Sequence, residues 1–302
     1  MMSVFSKGAG NVLFKMDSDM LLRVRMDKDG EGCIDSEEEY DDVIRKILPW
    51  LNPAQFLSVD NDQLKALDPD NAYHLTTSAQ VTENLIKEYD LVVEIKPKWA
   101  SLPNPLSVGL RHSRMKLKCS FQSERLFSES RQEQLEELSG LIDGDSKFLT
   151  VFSKGRKVRM DSETIAGRLQ EALNDSGVMR AIKYYQLYSD PLDIQHIYPL
   201  VKDTNTCNPS TSFLRGVINK IPKHPGLPTW GDLKAFGGSL SGEELLYLYS
   251  LSMTLRDVSV LVRLSPETQP KVKVVDADYK CLSRIHKWYE SDCKLNNFHA
   301  TG

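Results

Sequence analysis

The run Asp90-Leu91-Val92-Val93-Glu94-Ile95, followed at once by Lys96-Pro97-Lys98-Trp99, constrains this chain more than any other stretch. β-Branched residues dominate the run, which predicts a buried strand. Side chains alternate along a strand, so Glu94, Lys96 and Lys98 share one face and Ile95, Pro97 and Trp99 the other. Proline cannot donate to a sheet ladder, so the strand ends at Pro97 or lies on an edge. A carboxylate and two ammonium groups in a row are costly to bury unless phosphates and a metal ion answer them. Two readings stay open from these residues alone: a solvated amphipathic edge strand, or a surface that meets a phosphorylated ligand.

A hairpin is predicted near the C-terminus. Residues 258–264 are apolar and β-rich, 265–270 read as a turn, and Lys271-Val272-Lys273-Val274-Val275 alternates. Antiparallel pairing about a turn near Glu267 sets residue 257 opposite 276 or 277. Asp257 and Asp276 then meet at the open end of the hairpin. Two carboxylates so placed suit phosphoryl transfer, with one at the attacking hydroxyl and one holding Mg²⁺. Two turn-ending aspartates are the alternative.

Bulk numbers narrow the class. A chain of 302 residues allows one large domain or two lobes. At 40% hydrophobic and 26% charged residues it is an ordinary globular composition. The net charge of -4 argues against bulk nucleic-acid binding and leaves room for a local basic pocket. No apolar run approaches the ~18–20 residues of a bilayer span. The N-terminus lacks the charged and apolar regions of a secretory signal. Cys33, Cys119, Cys207, Cys281 and Cys293 contain no Cys-x-x-Cys, which fits a reducing compartment and gives no zinc signature.

Along the chain, Gly8-Ala9-Gly10-Asn11 sits between short strands, with a further strand over 20–25. Small residues there allow backbone amides to lie against phosphates, or make an ordinary turn. Helical spacing covers 40–51, 131–142, 162–174, 178–188 and 242–255. The Pro- and Ser-bearing stretch 100–107 is the expected lobe boundary, and the Pro/Gly-rich 221–238 reads as loop. Val-Phe-Ser-Lys-Gly occurs at 4–8 and 151–155, as two strand-to-turn transitions rather than a domain repeat. Residues 27–38 match the EF-hand loop template, with glycine at the sixth position. A strand precedes them and no second such loop exists, so an acidic surface loop competes with a calcium site. Basic residues cluster at Arg111, Arg114, Lys116 and Lys118, at Lys154, Arg156, Lys157 and Arg159, and at Lys280, Arg284 and Lys287. On a helix, Lys280 and Arg284 would project together. No P-loop, nucleophile elbow or metal-spaced histidine set is present.

Four separated blocks resemble the inositol-pentakisphosphate 2-kinases, above all the short fungal members. They are Gly8-Ala9-Gly10-Asn11 with Leu22-Arg23-Val24-Arg25, Glu94-Ile95-Lys96-Pro97-Lys98-Trp99, Met253-Thr254-Leu255-Arg256-Asp257-Val258, and Asp276-Ala277-Asp278-Tyr279-Lys280. The resemblance implies a two-lobed α/β (α+β) inositol-polyphosphate-kinase-like fold. Its N-lobe, 1–105, would be mostly antiparallel sheet with helix and bind nucleotide. Its larger mixed C-lobe, 106–302, would bind inositol phosphate and carry catalysis. The implied reaction is ATP-dependent phosphorylation of the 2-hydroxyl of inositol 1,3,4,5,6-pentakisphosphate, giving hexakisphosphate.

The resemblance also implies roles, residue by residue. Asp257 deprotonates the hydroxyl and Lys96 lies between the two substrates. Gly8, Ala9, Gly10, Asn11, Arg23, Leu75, Thr76 and Glu94 contact ATP. Lys96, Lys98, Lys118, Lys280, Arg284 and Trp288 contact the inositol phosphate. Asp276 and Asp278 hold Mg²⁺. The chain departs from the family where Cys281 replaces a proline, where Trp288 or Tyr289 stands for a late tyrosine, and where Met115 or Lys118 stands for a histidine. A monomer in nucleus or cytoplasm is expected, with no nucleic-acid or membrane partner. A catalytically silent inositol-phosphate sensor is the competing class, and a calcium-binding protein using 27–38 the third.

Overall fold

The computed structural model describes residues 3–7, 11–16, 19–26, 34–73, 75–86, 91–100, 123–144, 146–203, 210–223, 226–265 and 268–300. Two antiparallel sheets organise them. The first contains β1 (Ser3–Lys7), β2 (Asn11–Lys15), β3 (Met20–Met26), β4 (Ala54–Ser58) and β5 (Leu75–Glu83), in the order β1-β2-β3-β5-β4. The second contains β6 (Val92–Ile95), β7 (Leu149–Ser153), β8 (Arg156–Val158), β9 (Ser259–Arg263) and β10 (Lys271–Val275), in the order β10-β9-β6-β7-β8.

Alternation sorts the first sheet into two faces. Val12 pairs with Val24 and Phe14 with Leu22, while Leu22 pairs with Val81 and Val24 with Ala79. Those side chains, with Met26, Val59, Leu64, Leu67 and Tyr73, form a small core that the helix α2 (Asn61–Leu67) helps to cover. The opposite face carries Asn11, Arg23 and Gln80, because Arg23 sits opposite Gln80 and one step out of phase with Leu22 and Val24. From that face Asn11 and Arg23 reach Asp278, just past the end of β10.

β6 is central in the second sheet, paired with β7 on one side and β9 on the other. Of the two positions open to the strand, the interior one holds, and the strand ends at Ile95 before Pro97. Val93, Ile95, Val260 and Val262 are fully buried. The main core continues from them into α1 (Glu37–Ile47), α4 (Arg131–Asp143), α5 (Ser162–Ser176), α6 (Val178–Ser189), α7 (Ile194–Val201), α8 (Thr211–Asn219), α9 (Trp230–Gly238) and α10 (Gly242–Leu255). A short α3 (Ser123–Leu126) and the C-terminal α11 (Ile285–Ala300) complete eleven helices among the described residues. The sheets are tied through residues 50–52: Asn52 N–H donates to Val274 O at 2.8 Å, and Asn52 Nδ2 to Thr82 Oγ1 at 2.6 Å.

Most expected elements appear within two residues of their expected bounds, the helix expected over 40–51 runs instead from Glu37 to Ile47, and 242–255 coincides with α10, started by a Ser241–Glu244 capping box. Both copies of the pentapeptide are first strands of hairpins, β1 into β2 and β7 into β8. Two expectations are corrected. The supposed loop 221–238 contains α9, started by a Thr229–Asp232 capping box and held by buried Leu233 and Phe236. A Cβ on Gly237 would meet Leu192 Cγ at 2.8 Å, so the glycine that disguised this helix permits its close packing. Lys280 and Arg284 do not share a helix: Arg284 closes a 3₁₀ turn, Leu282–Arg284, and Lys280 precedes it in extended chain. The carbonyl of Lys280 accepts from Ser250 Oγ on α10, and that of Asp278 from Thr254 Oγ1 at 2.9 Å, which holds the segment out of helical form.

The expected lobe boundary at 105/106, Gly8, Ala9, Gly10, Arg111, Arg114, Met115, Lys116 and Lys118 lie outside the described residues, as do positions 27–33 of the EF-hand match. Of that match, Asp35 accepts from Thr211 N–H at 2.9 Å and Ser36 caps α1, so both have structural partners. Gly177 joins α5 to α6 at φ +71°, and a Cβ there would meet nothing within 4 Å. Gly177→Ala therefore pays only for the left-handed backbone. Urea denaturation is expected to show a loss of about 1 kcal/mol, and a smaller loss for Gly177→Asn.

Candidate active site

Strand registers bring the charged residues together. Continuing the β6–β9 ladder three residues past Ile95–Val260 sets Lys98 opposite Asp257. Continuing the β9–β10 ladder two residues past Ser259–Val275 sets Ala277 opposite Asp257, as the hairpin reading expects. Lys98 Nζ lies 3.2 Å from Asp257 Oδ1, and Lys280 Nζ lies 3.0 Å from Asp257 Oδ2. Each carboxylate oxygen thus receives one ammonium group, while 44% of the Asp257 side chain stays exposed. Burial pushes the Asp257 carboxyl up, and the Lys280 and Lys98 charges outweigh it, holding it below the ordinary carboxylate range.

The second cluster joins the sheets. Arg23 reaches from β3 to Asp278, with Nη1 2.6 Å from Oδ1 and Nη2 2.5 Å from Oδ2. This is a two-point fork on one carboxylate. Arg23 Nη2 also lies 3.4 Å from Asp276 Oδ1, and Nη1 donates to Gln80 Oε1 at 3.2 Å. Asn11 Nδ2 donates to Asp278 Oδ2 at 2.9 Å. Asp276 has φ +62° and Lys98 φ +58°, a backbone region that costs an L-residue about 1–2 kcal/mol. Residues held there mark places where the surrounding structure overdetermines the chain, commonly functional ones.

Remaining expected residues fall as follows. Glu94 stays half-buried in β6, 3.9 Å from Lys96 Nζ, so these two share a face. Leu75 and Thr76 open β5, and Thr76 Oγ1 is buried with no hydrogen-bond partner among the described residues, as a hydroxyl awaiting a ligand group would be. Trp288 packs on α10, its ring 5.6 Å from Tyr249. Among the described residues no group of three or more His, Cys, Asp or Glu side chains is placed to hold a metal ion. Asp276 and Asp278 supply two carboxylates on one guanidinium, and Mg²⁺ fits such a pair when phosphates and waters complete its six oxygens.

Sequence reading missed the buried support behind this site. Arg256, next to Asp257, pairs with Asp190 at 2.6 Å, both nearly inaccessible, and its guanidinium stacks 3.8 Å from the Trp99 ring. Burial works against the Arg256 charge, and Asp190 outweighs it. Gln186, one turn before Asp190 on α6, bonds to the backbones of both Lys98 and Leu255. The available signal was a glutamine and an aspartate four apart at the C-terminal end of this helix. The Asp257 clamp is checked by Lys280→Met. A depressed carboxyl adds stability above the ordinary value near 3.9 and loses it as pH falls through its own lower midpoint. Removing Lys280 is expected to raise the Asp257 midpoint in a ¹³C NMR titration.

Comparison with known proteins agrees with the geometry. A family model described as inositol-pentakisphosphate 2-kinase matches residues 5–294. No curated protein matches the chain. A match that runs from β1 into α11 takes in both sheets, the Asp257 clamp and the Arg23 fork, and the chain accordingly belongs to the inositol-pentakisphosphate 2-kinase family of transferases.

Proposed function

We propose that this chain transfers the γ-phosphoryl group of ATP to the 2-hydroxyl of inositol 1,3,4,5,6-pentakisphosphate. The single observation that carries this reading is the Asp257 carboxylate with one lysine on each oxygen. The free hydroxyl of that substrate has a phosphate on the carbon to either side. A base flanked by two ammonium groups matches a hydroxyl flanked by two phosphates. Each ammonium has three donors, so Lys98 and Lys280 keep Asp257 while also donating to a substrate phosphate. A carboxylate oxygen keeps a second lone-pair direction for the incoming hydroxyl.

In the transfer, the 2-oxygen forms a bond to the γ-phosphorus as the bond from that phosphorus to the β,γ-bridging oxygen breaks. The hydroxyl proton passes to Asp257, and the electron pair of the broken bond leaves with ADP. Such chemistry asks a protein for positioning and charge balance more than for covalent steps. Arg23 meets the phosphates of ATP from the first sheet, and Lys96 stands beside Glu94 between the two substrates. Asp276 and Asp278 would hold Mg²⁺, which neutralises charge on the phosphate oxygens when bound.

The test is to incubate the protein with Mg-ATP and the pentakisphosphate and resolve products by anion exchange. Hexakisphosphate is expected, and binding without product would return the sensor reading. Asp257→Asn is expected to lower turnover by at least about 10²-fold while calorimetry still shows substrate binding. Lys98→Ala is expected to raise KM for the inositol phosphate far more than for ATP, and equal changes in both would remove the role given to Lys98.

A further inference from the structure

Gln186 is 2% exposed, in the last turn of α6 among apolar neighbours. Both N–H donors of its carboxamide and its oxygen are engaged. Nε2 donates to Lys98 O at 2.8 Å and to Leu255 O at 3.0 Å, and Oε1 accepts from Ala100 N–H at 2.9 Å. These three backbone groups lie beyond the ends of β6 and β9, where the ladder no longer holds the chains together. The strand register therefore sets Lys98 opposite Asp257, but ladder hydrogen bonds do not hold the two chains together at that point. One side chain spans the gap, and it grips the chain at Lys98 itself and two residues before Asp257.

One helical turn later, Asp190 holds Arg256 from the same direction, and the Arg256 guanidinium covers Trp99. The end of α6 thus contacts residues 98 and 100 on one side and 255 and 256 on the other. Lys98 keeps φ +58°, which persists only where neighbours overdetermine it.

We propose that Gln186 is a positioning residue for phosphoryl transfer, setting Lys98 against Asp257 by bonding the two backbones that carry them. Its kinetic part rests on the kinase reading above, while the alignment it describes does not. A glutamine that merely satisfied its own burial would stabilise the fold and leave the chemistry alone.

Gln186→Met keeps the volume and removes all three hydrogen bonds. The expected result is a fall in kcat of at least about tenfold with KM for ATP unchanged, together with a rise in the Asp257 midpoint by ¹³C NMR as Lys98 drifts from it. In an Asp257→Asn background the same substitution is expected to cost little further, because the two act as a unit. Gln186→Glu, whose buried protonated carboxyl keeps one donor and one acceptor, is expected to fall between Gln and Met, and it carries the test if the Met variant does not fold. A lower melting temperature with unchanged kcat and an unchanged Asp257 midpoint would overturn the proposal, as would an equal loss in the Asp257→Asn background. Should the unaltered protein form no hexakisphosphate, the kinase reading fails. The Asp257 titration, which needs no turnover, then decides the positioning by itself.

Discussion

The pairing of β6 with β9 is the constraint on which the rest depends. β9 is buried from Ser259 to Val262 and β6 everywhere but Glu94, and Val93 pairs with Val262 and Ile95 with Val260. A slip of one residue would turn these side chains to the wrong face. That apolar register, continued three residues, decides where Lys98 and Asp257 meet. Hydrophobic packing has no direction of its own, yet here it sets an ion pair to within a hydrogen-bond length. β10 adds the third participant, because its ladder with β9 leads to Asp276, Asp278 and Lys280.

Charge is handled differently at the two clusters. Asp257 is open to solvent on one side, so its pairing with Lys98 and Lys280 serves orientation more than stability. Behind it, Arg256 and Asp190 are almost wholly enclosed. A buried pair recovers little over a hydrophobic substitute, yet loss of one partner leaves a stranded charge. Such a pair suits a support that must hold one arrangement. Arg23 is intermediate: it belongs to the first sheet and its anionic partners to the end of the second. The small core of the first sheet lies on its other face, so polar contacts from Arg23, Asn11 and Asn52 carry much of the link between sheets.

The helices show where local signals sufficed. α10 follows from its capping box and apolar run, and α5 from the glycine that stops it. α9 did not follow, because three glycines in nine residues mimic a loop, and the fit against Leu192 explains Gly237. The Lys280–Arg284 spacing suggested a helix, and two hydroxyls on α10 that capture backbone carbonyls prevented it. In each miss a tertiary contact overrode a sound local inference.

The sequence by itself determined which charged residues this chain can offer to chemistry. Period-two alternation put Glu94, Lys96 and Lys98 on one face, and a hairpin register put Asp257 and Asp276 at one end; the family resemblance joined these with Lys280 into one set. Tertiary structure alone decided how those groups are held. Gln186 and Asp190 are distant in sequence from the residues they secure, and a glutamine–aspartate pair at a helix end does not announce which backbone the amide will grip. The fork of Arg23 on Asp278 spans 255 positions and joins two sheets that residues 50–52 also tie together. Local pattern specifies elements and their reactive side chains; the pairing of distant backbone groups is settled only when the core closes.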